Sequence, residues 1–188
     1  MHRMVLAVLM SCGIATTTLA VQGQKVNPDA QLLQDFTKRV ESYMDVHNRL
    51  EKKGPPLKTT EDPAKIKASQ DSLAGLIQAE RKDAKQGEIF TPQIAALFRR
   101  LMYPEVKGEQ GKETKKAIKE DAPPPGQVTV KVNAGYPESA PLPSVPPNLL
   151  ANLPKLPEDL EYRIIGRSLI LRDVHANIIV DYMPNAIQ

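Results

Sequence analysis

The C-terminal stretch from Leu160 to Tyr182, LEYRIIGRSLILRDVHANIIVDY, leaves this chain the fewest options. Gly166-Arg167 suits a two-residue hairpin turn, with glycine at the first central position, where a positive φ is required. That turn sets Ile164 opposite Leu169, Tyr162 opposite Leu171 and Glu161 opposite Arg172. Side chains alternate faces along a strand, so Leu160, Tyr162, Ile164, Leu169 and Leu171 share one side. A four-residue connection, Val174 to Asn177, then pairs Asp173 with Ile178 and Leu171 with Val180. It adds Ile178, Val180 and Tyr182 to the same apolar face. The stretch therefore reads as a three-stranded antiparallel meander. A sheet with one apolar face needs a second layer, so earlier segments must cover it.

The opposite face carries Glu161, Arg163, Ser168 and Arg172 with apolar Ile165 and Ile170 among them. Arg163, Ile165, Ile170, Arg172, Ile179 and Met183 form a semi-apolar surface with a basic flank, a candidate for docking another protein. The competing expectation is that a Pro-rich segment covers this face.

The helical part precedes the sheet. Asn27-Pro28-Asp29 is a helix start: a capping Asn, Pro at the first helical position and an acid in the first turn. Leu32, Leu33, Phe36, Val40, Tyr43, Met44, His47 and Leu50 then recur at steps of three and four, until Gly54-Pro55-Pro56 ends the pattern. Asp62-Pro63 starts a second helix with Ile66, Leu73, Ile77 and Ala84 on its stripe and Gly87 as its stop. Thr91-Pro92 starts a third, carrying Ile94, Leu97, Phe98, Leu101 and Met102 and closed by Tyr103-Pro104. Short polar connections between three helices predict an up-down-up bundle.

Between Glu105 and Asp121, five Lys and five acids accompany only Val106, Ala117 and Ile118 as apolar residues, which predicts a solvated linker or a frayed helix. From Ala122 to Pro157 come ten of the 17 prolines. Within that stretch the alternation of Val128, Val130 and Val132 suggests a short strand at 127–132, as a fourth, edge strand of the sheet. Residues 137–157 should run extended across a surface, with one helical turn at Asn148–Asn152. This segment reads as a tether between the two halves, or as a ligand for an aromatic groove on a partner. The expected organisation is thus α+β: a leader at 1–20, helices over 21–104, a charged then Pro-rich connector over 105–157, and the meander over 158–188.

The leader reading rests on His2 and Arg3, the apolar run Val5 to Ile14, and Thr18-Leu19-Ala20 as a cleavage site before Val21. The run is too short for a permanent span, which needs about 20 residues. Leu9-Met10-Ser11-Cys12 resembles the lipobox of bacterial lipoproteins, although Met10 and the short apolar stretch before Cys12 stand against lipid anchoring there. Cys12 is the one cysteine, so a chain cleaved after Ala20 has no disulfide and no thiolate ligand. That suits a bacterial periplasm better than a disulfide-stapled extracellular module. Of 25 Lys+Arg, Arg3 leaves with the leader, and 24 remain against 22 acids. So small an excess, with 4% aromatics and no Trp, gives no footprint for nucleic acid.

Few residues carry candidate chemistry. Asp173 and His175 bracket Val174, with Asp181 on the following strand, a set able to ligate a metal or to act as a general base with its orienting carboxylate. Against it, the register turns Asp181 away from Asp173, and Asp-x-His in a hairpin loop is common. His47, between Tyr43 and Glu51 at one-turn steps, reads as a satisfied, partly buried histidine. Ser168 lacks the Gly-x-Ser-x-Gly context of a hydrolase nucleophile. No cofactor motif is present. The sequence therefore predicts an exported, non-catalytic envelope protein that binds another envelope protein or serves a structural role. The alternative is a metal-dependent or acid/base enzyme built on the Asp173/His175 loop.

Overall fold

The computed structural model describes residues 27–54 and 61–187. The leader, its cleavage site and Cys12 lie outside the described residues. The chain is α+β, running α1 (Pro28–Glu51), α2 (Pro63–Glu80), α3 (Pro92–Val106), α4 (Gly108–Glu120), the single turn α5 (Pro147–Leu150), then β1 (Leu160–Ile165), β2 (Ser168–Asp173) and β3 (Ile178–Met183). The three strands form one antiparallel sheet in the order β1-β2-β3.

Each early helix starts where its capping signal stands. Asn27 accepts from the Asp29 amide, Asp62 from the Ala64 amide and Thr91 from the Ile94 amide, each with Pro next in the chain. α1 buries Phe36, Val40, Tyr43, Met44, His47 and Leu50 of its stripe, leaves Leu32 and Leu33 half-buried, and packs on both α2 and α3. Phe36, Phe90 and Phe98 cluster with centroids 4.9 to 5.9 Å apart, and Phe98 meets Tyr162 of β1 edge-on at 6.2 Å. One continuous core therefore joins α1–α4, α5 and the sheet.

Three helix boundaries differ from the sequence reading. α2 ends at Glu80, not near Gly87, because the backbone N–H groups of Gly87, Ile89 and Phe90 turn away to donate to Asp181. α3 runs through Pro104 to Val106. A proline there removes one hydrogen bond in the last turn, while Met102 and Val106 gain burial. The charged stretch is α4, folded against α3. Its buried positions are Gly111, Thr114 and Ile118, a stripe at helical spacing made mainly of small residues. A Cβ at Gly111 would lie 2.2 Å from the Val106 carbonyl carbon, so this close approach admits only glycine.

β1 and β2 pair as the turn at Gly166-Arg167 dictates, with Ile164 opposite Leu169, Tyr162 opposite Leu171 and Glu161 opposite Arg172. Gly166 has φ +59°. β3 starts in the expected register, Asp173 against Ile178, but a bulge follows: Arg172 pairs with Ile179, and Leu171 with Asp181 instead of Val180. The extra residue shifts everything beyond it by one. Asp181 and Met183 thereby turn to the helix side, and Tyr182, opposite Ile170, turns to the other. The expected placement of Tyr182 on the helix face is thus corrected.

The second face of the sheet is covered. Residues 127–132 are not a strand. The pairing segment is 133–136: Asn133 donates to the Ile179 carbonyl (2.8 Å), Ile179 to the Ala134 carbonyl (2.9 Å) and Tyr136 to the Asn177 carbonyl (2.8 Å). Asn133 adopts φ +63°, and its side-chain amide donates to the Arg81 carbonyl at 2.7 Å. From there the Pro-rich chain packs as a strap. Arg163 donates to the Pro143 carbonyl at 3.1 Å, Asp121 accepts from the Ser144 amide and hydroxyl, and Asn148 of α5 donates to Glu105 at 2.8 Å.

Candidate functional site

Asp173 ends β2 on the same face as Leu169 and Leu171, so it points into the helical layer and meets α1. It is fully buried. One oxygen accepts from the Tyr43 hydroxyl (2.6 Å) and lies 2.6 Å from Nδ1 of His47; the other accepts from the Ala176 amide (2.7 Å), which folds the β2–β3 loop. Burial alone would raise the Asp173 pKa, but the bonds from His47, Ala176 and Tyr43 together hold it below the usual carboxylate range. For His47 burial works downward, and the bond and charge of Asp173 outweigh it and raise the pKa. Burial and the Asp173 charge push the Tyr43 phenol up, so it stays a hydrogen-bond donor.

With an ionised carboxylate against Nδ1, that nitrogen carries the proton, and the second ring nitrogen of His47 faces outward along α1. This Nε2 is buried, has no hydrogen-bond partner and lies 3.9 Å from Glu51 one turn on. The exposed His175 stands over it, ring centroids 5.8 Å apart, with Nδ1 3.1 Å from Glu51 and Nε2 3.4 Å from Asp159. Ligand-type atoms of His47, Asp159 and His175 all lie within 4.8 Å of one another. These are the described residues able to hold a metal ion.

The geometry rearranges the expected set of Asp173, His175 and Asp181. Asp173 and His175 do come together, but on either side of His47, with Asp173 behind it and His175 in front. His47, expected to be satisfied, is satisfied at one nitrogen only. Asp181 shares a face with Asp173 after the bulge, contrary to the simple register, yet is spent elsewhere. Its oxygens accept from Gly87 (2.9 Å), Ile89 (2.8 Å), Phe90 (2.8 Å) and its own neighbour Tyr182 (2.8 Å). Asp159 was not signalled by any motif. The steps Tyr43, His47, Glu51 on one helix stripe were legible, but their meeting with Asp173 spans 126 residues from His47.

The expected docking face does not stand open. Ile170, Ile179 and Met183 have no exposed surface, and Arg172 is 9% exposed. Met183 lies in the helix-side core, Ile179 bonds through its backbone to Asn133 and Ala134, and Arg172 lies against Tyr136. Arg172 is held by Glu161 (2.5 Å) and Asn177 (2.6 Å) and stacks over the Tyr136 ring at 5.6 Å. Arg163 shares Glu161 with it, and Ile165 is half-buried at the end of β1. Burial alone would raise the Glu161 pKa, but the bonds and charges of Arg163 and Arg172 lower it. A lowered folded-state pKa gives stability that is present above the ordinary Glu value of 4.5 and lost as pH falls through the folded value. Glu161→Gln is therefore expected to cost about 1 kcal/mol at neutral pH. In urea melts its deficit should shrink as the pH falls below 4.5.

A groove does stand open on the other flank of the sheet. The bond from the Val174 amide to the Asp159 carbonyl fixes the β1 alternation, so Glu161, Arg163 and Ile165 direct their backbone groups at β2, and Tyr162 and Ile164 direct theirs outward. Among the described residues no backbone bond reaches Tyr162 or Ile164 from that side. The strap at 144–157 passes alongside and leaves a groove of about 790 Å³, lined by Val145, Leu150, Leu153, Leu156, Leu160 and Tyr162. Leu150 is 47% exposed there. No helix among the described residues is long and apolar enough to cross a membrane. The chain matches no protein-family model, no curated protein and no solved structure.

Proposed function

We propose that this is an exported, non-catalytic envelope protein that holds an extended, apolar segment of another envelope protein along β1. The observation that carries this reading is the pairing of an unbonded strand edge with an apolar groove beside it. An added strand gains main-chain hydrogen bonds from the edge, and its alternate side chains fill the groove. Asp173 and Asp181 are engaged within the fold, Asp173 with Tyr43, His47 and Ala176 and Asp181 with backbone amides, which further favours binding over acid/base chemistry.

Photo-crosslinking in the native envelope tests this. A photoreactive residue at Lys155, exposed on the groove rim, is expected to give one discrete adduct. Leu150→Asp should abolish it without loss of folding, because Leu150 is half exposed. The same photoreactive group at Tyr103, 53% exposed on α3, should give no such adduct. An adduct indifferent to Leu150→Asp, or none at Lys155, would overturn the reading. Recovery of the protein from the cytoplasm with residues 1–20 intact would overturn the export assignment.

A further inference from the structure

We propose that His47, His175 and Asp159, with Glu51 beside them, form a binding site for one divalent transition-metal ion of the zinc type, clamping the end of α1 to the β1 lead-in and the β2–β3 loop. Two imidazoles and a carboxylate make a donor set suited to Zn²⁺ and its first-row neighbours, and poorly suited to Mg²⁺, which prefers oxygen and water.

Three observations converge on it. The first is the buried, unpartnered Nε2 of His47, aimed between His175 and Glu51. A buried imidazole nitrogen without a partner is costly unless something is bound to it. The second is what stands behind that ring. Asp173 engages Nδ1, so Nε2 is the nitrogen left to meet a metal, which would displace any proton it carries, and Asp173 is itself held by the Tyr43 hydroxyl and the Ala176 amide. A carboxylate behind a ligating histidine, itself anchored, is the arrangement that orients metal ligands and raises their basicity. The third is spacing. Tetrahedral zinc with bonds near 2.0–2.2 Å places its ligand atoms about 3.4 Å apart. His175 Nε2 and Asp159 stand 3.4 Å apart, and the His47, His175 and Asp159 set spans no more than 4.8 Å. The remaining closure falls to His175, which is exposed, and to Asp159, which is partly exposed, so no buried element has to move. His47 and Glu51 also sit in the last turns of α1, where the helix dipole favours a cation.

The site ties together three segments distant in sequence: α1, the approach to β1 and the loop before β3. A metal there acts on the fold by joining them.

The test uses the chain from Val21 onward, without added histidine tags, stripped by chelator and titrated calorimetrically with Zn²⁺ and separately with Mg²⁺. The site predicts one Zn²⁺ per chain, a melting temperature that rises with Zn²⁺ concentration, and no response to Mg²⁺. His175→Ala and Asp159→Asn, both outside the core, should fold like the parent and each bind Zn²⁺ more than tenfold more weakly. Co²⁺ in the parent should show the intense visible absorption of a tetrahedral site, absent in both variants. Zn²⁺ uptake that is not one per chain, no uptake, or parental affinity in either variant would overturn the proposal.

Discussion

Asp181→Ala is expected to remove a large share of the folding free energy of this chain. Asp181 sits on a bulged strand with no exposed surface and accepts four backbone N–H groups, those of Gly87, Ile89, Phe90 and Tyr182. Truncation leaves these donors without an acceptor, and a buried donor so orphaned costs about 1–3 kcal/mol. The bonds from Ile89 and Phe90 are wholly buried, so the expected loss is on the order of 3–5 kcal/mol, against a total of about 5–15 kcal/mol for a domain. The loss should also loosen the connection from α2 to α3, since this carboxylate is what turns the chain there. Asp181→Asn should recover little. One oxygen serves Gly87 and Tyr182 and the other serves Ile89 and Phe90, so an amide satisfies one pair and turns its own N–H groups on the other. Urea unfolding followed by circular dichroism checks both variants, with near-parental stability in Asp181→Asn counting against the account.

Asp173→Ala is expected to cost about 3–5 kcal/mol, the range for breaking a buried charged pair from one side. It strands the Tyr43 hydroxyl, the His47 ring and the Ala176 amide together. Here the asparagine should behave differently from its counterpart at Asp181. The donors facing Asp173 are a rotatable hydroxyl and an imidazole able to exchange tautomers, so an amide in that place can give a hydrogen bond where the carboxylate took one. Asp173→Asn should thus be milder than Asp173→Ala by about 1–2 kcal/mol. Tyr43→Phe alone should cost about 1 kcal/mol, and nothing further in the Asp173→Ala background, because the two share one interaction. Additive losses in that cycle would mean that Tyr43 contributes by packing alone.

What could be read from the sequence follows the range of the forces involved. Caps, stripes and the Gly166-Arg167 turn act within a few residues, and they located α1, the start of each early helix and the whole β1–β2 register. The β2–β3 register was legible only as far as Ile179. An acid in an apolar strand looks cheapest to place on a solvated face, and nothing near Asp181 shows that three amides at 87, 89 and 90 await it. The bulge at Val180 is the local cost of that distant match. α4 was legible only as a frayed helix or a linker, because its packing surface is glycine, threonine and one isoleucine, and a count of apolar side chains does not register close approach of backbones. The Val128-Val130-Val132 alternation was a false strand signal, since Asn133 and Gly135 a few residues later pair with β3 instead. The candidate site shows the same limit. His175 and Asp173 stood out as neighbours, yet the residue that links them, His47, comes from another element altogether.

The central claim is that helices and meander are one cooperative unit, tied through the buried carboxylates Asp173 and Asp181. Native-state hydrogen exchange along a urea series measures this most directly. The account predicts that the amides of Ile89 and Phe90, bonded to Asp181, and those of the β2 core residues Leu169 to Leu171 converge on one opening free energy, the global one. Exchange of the α2–α3 connection at a markedly lower free energy, with the sheet still protected, would contradict it.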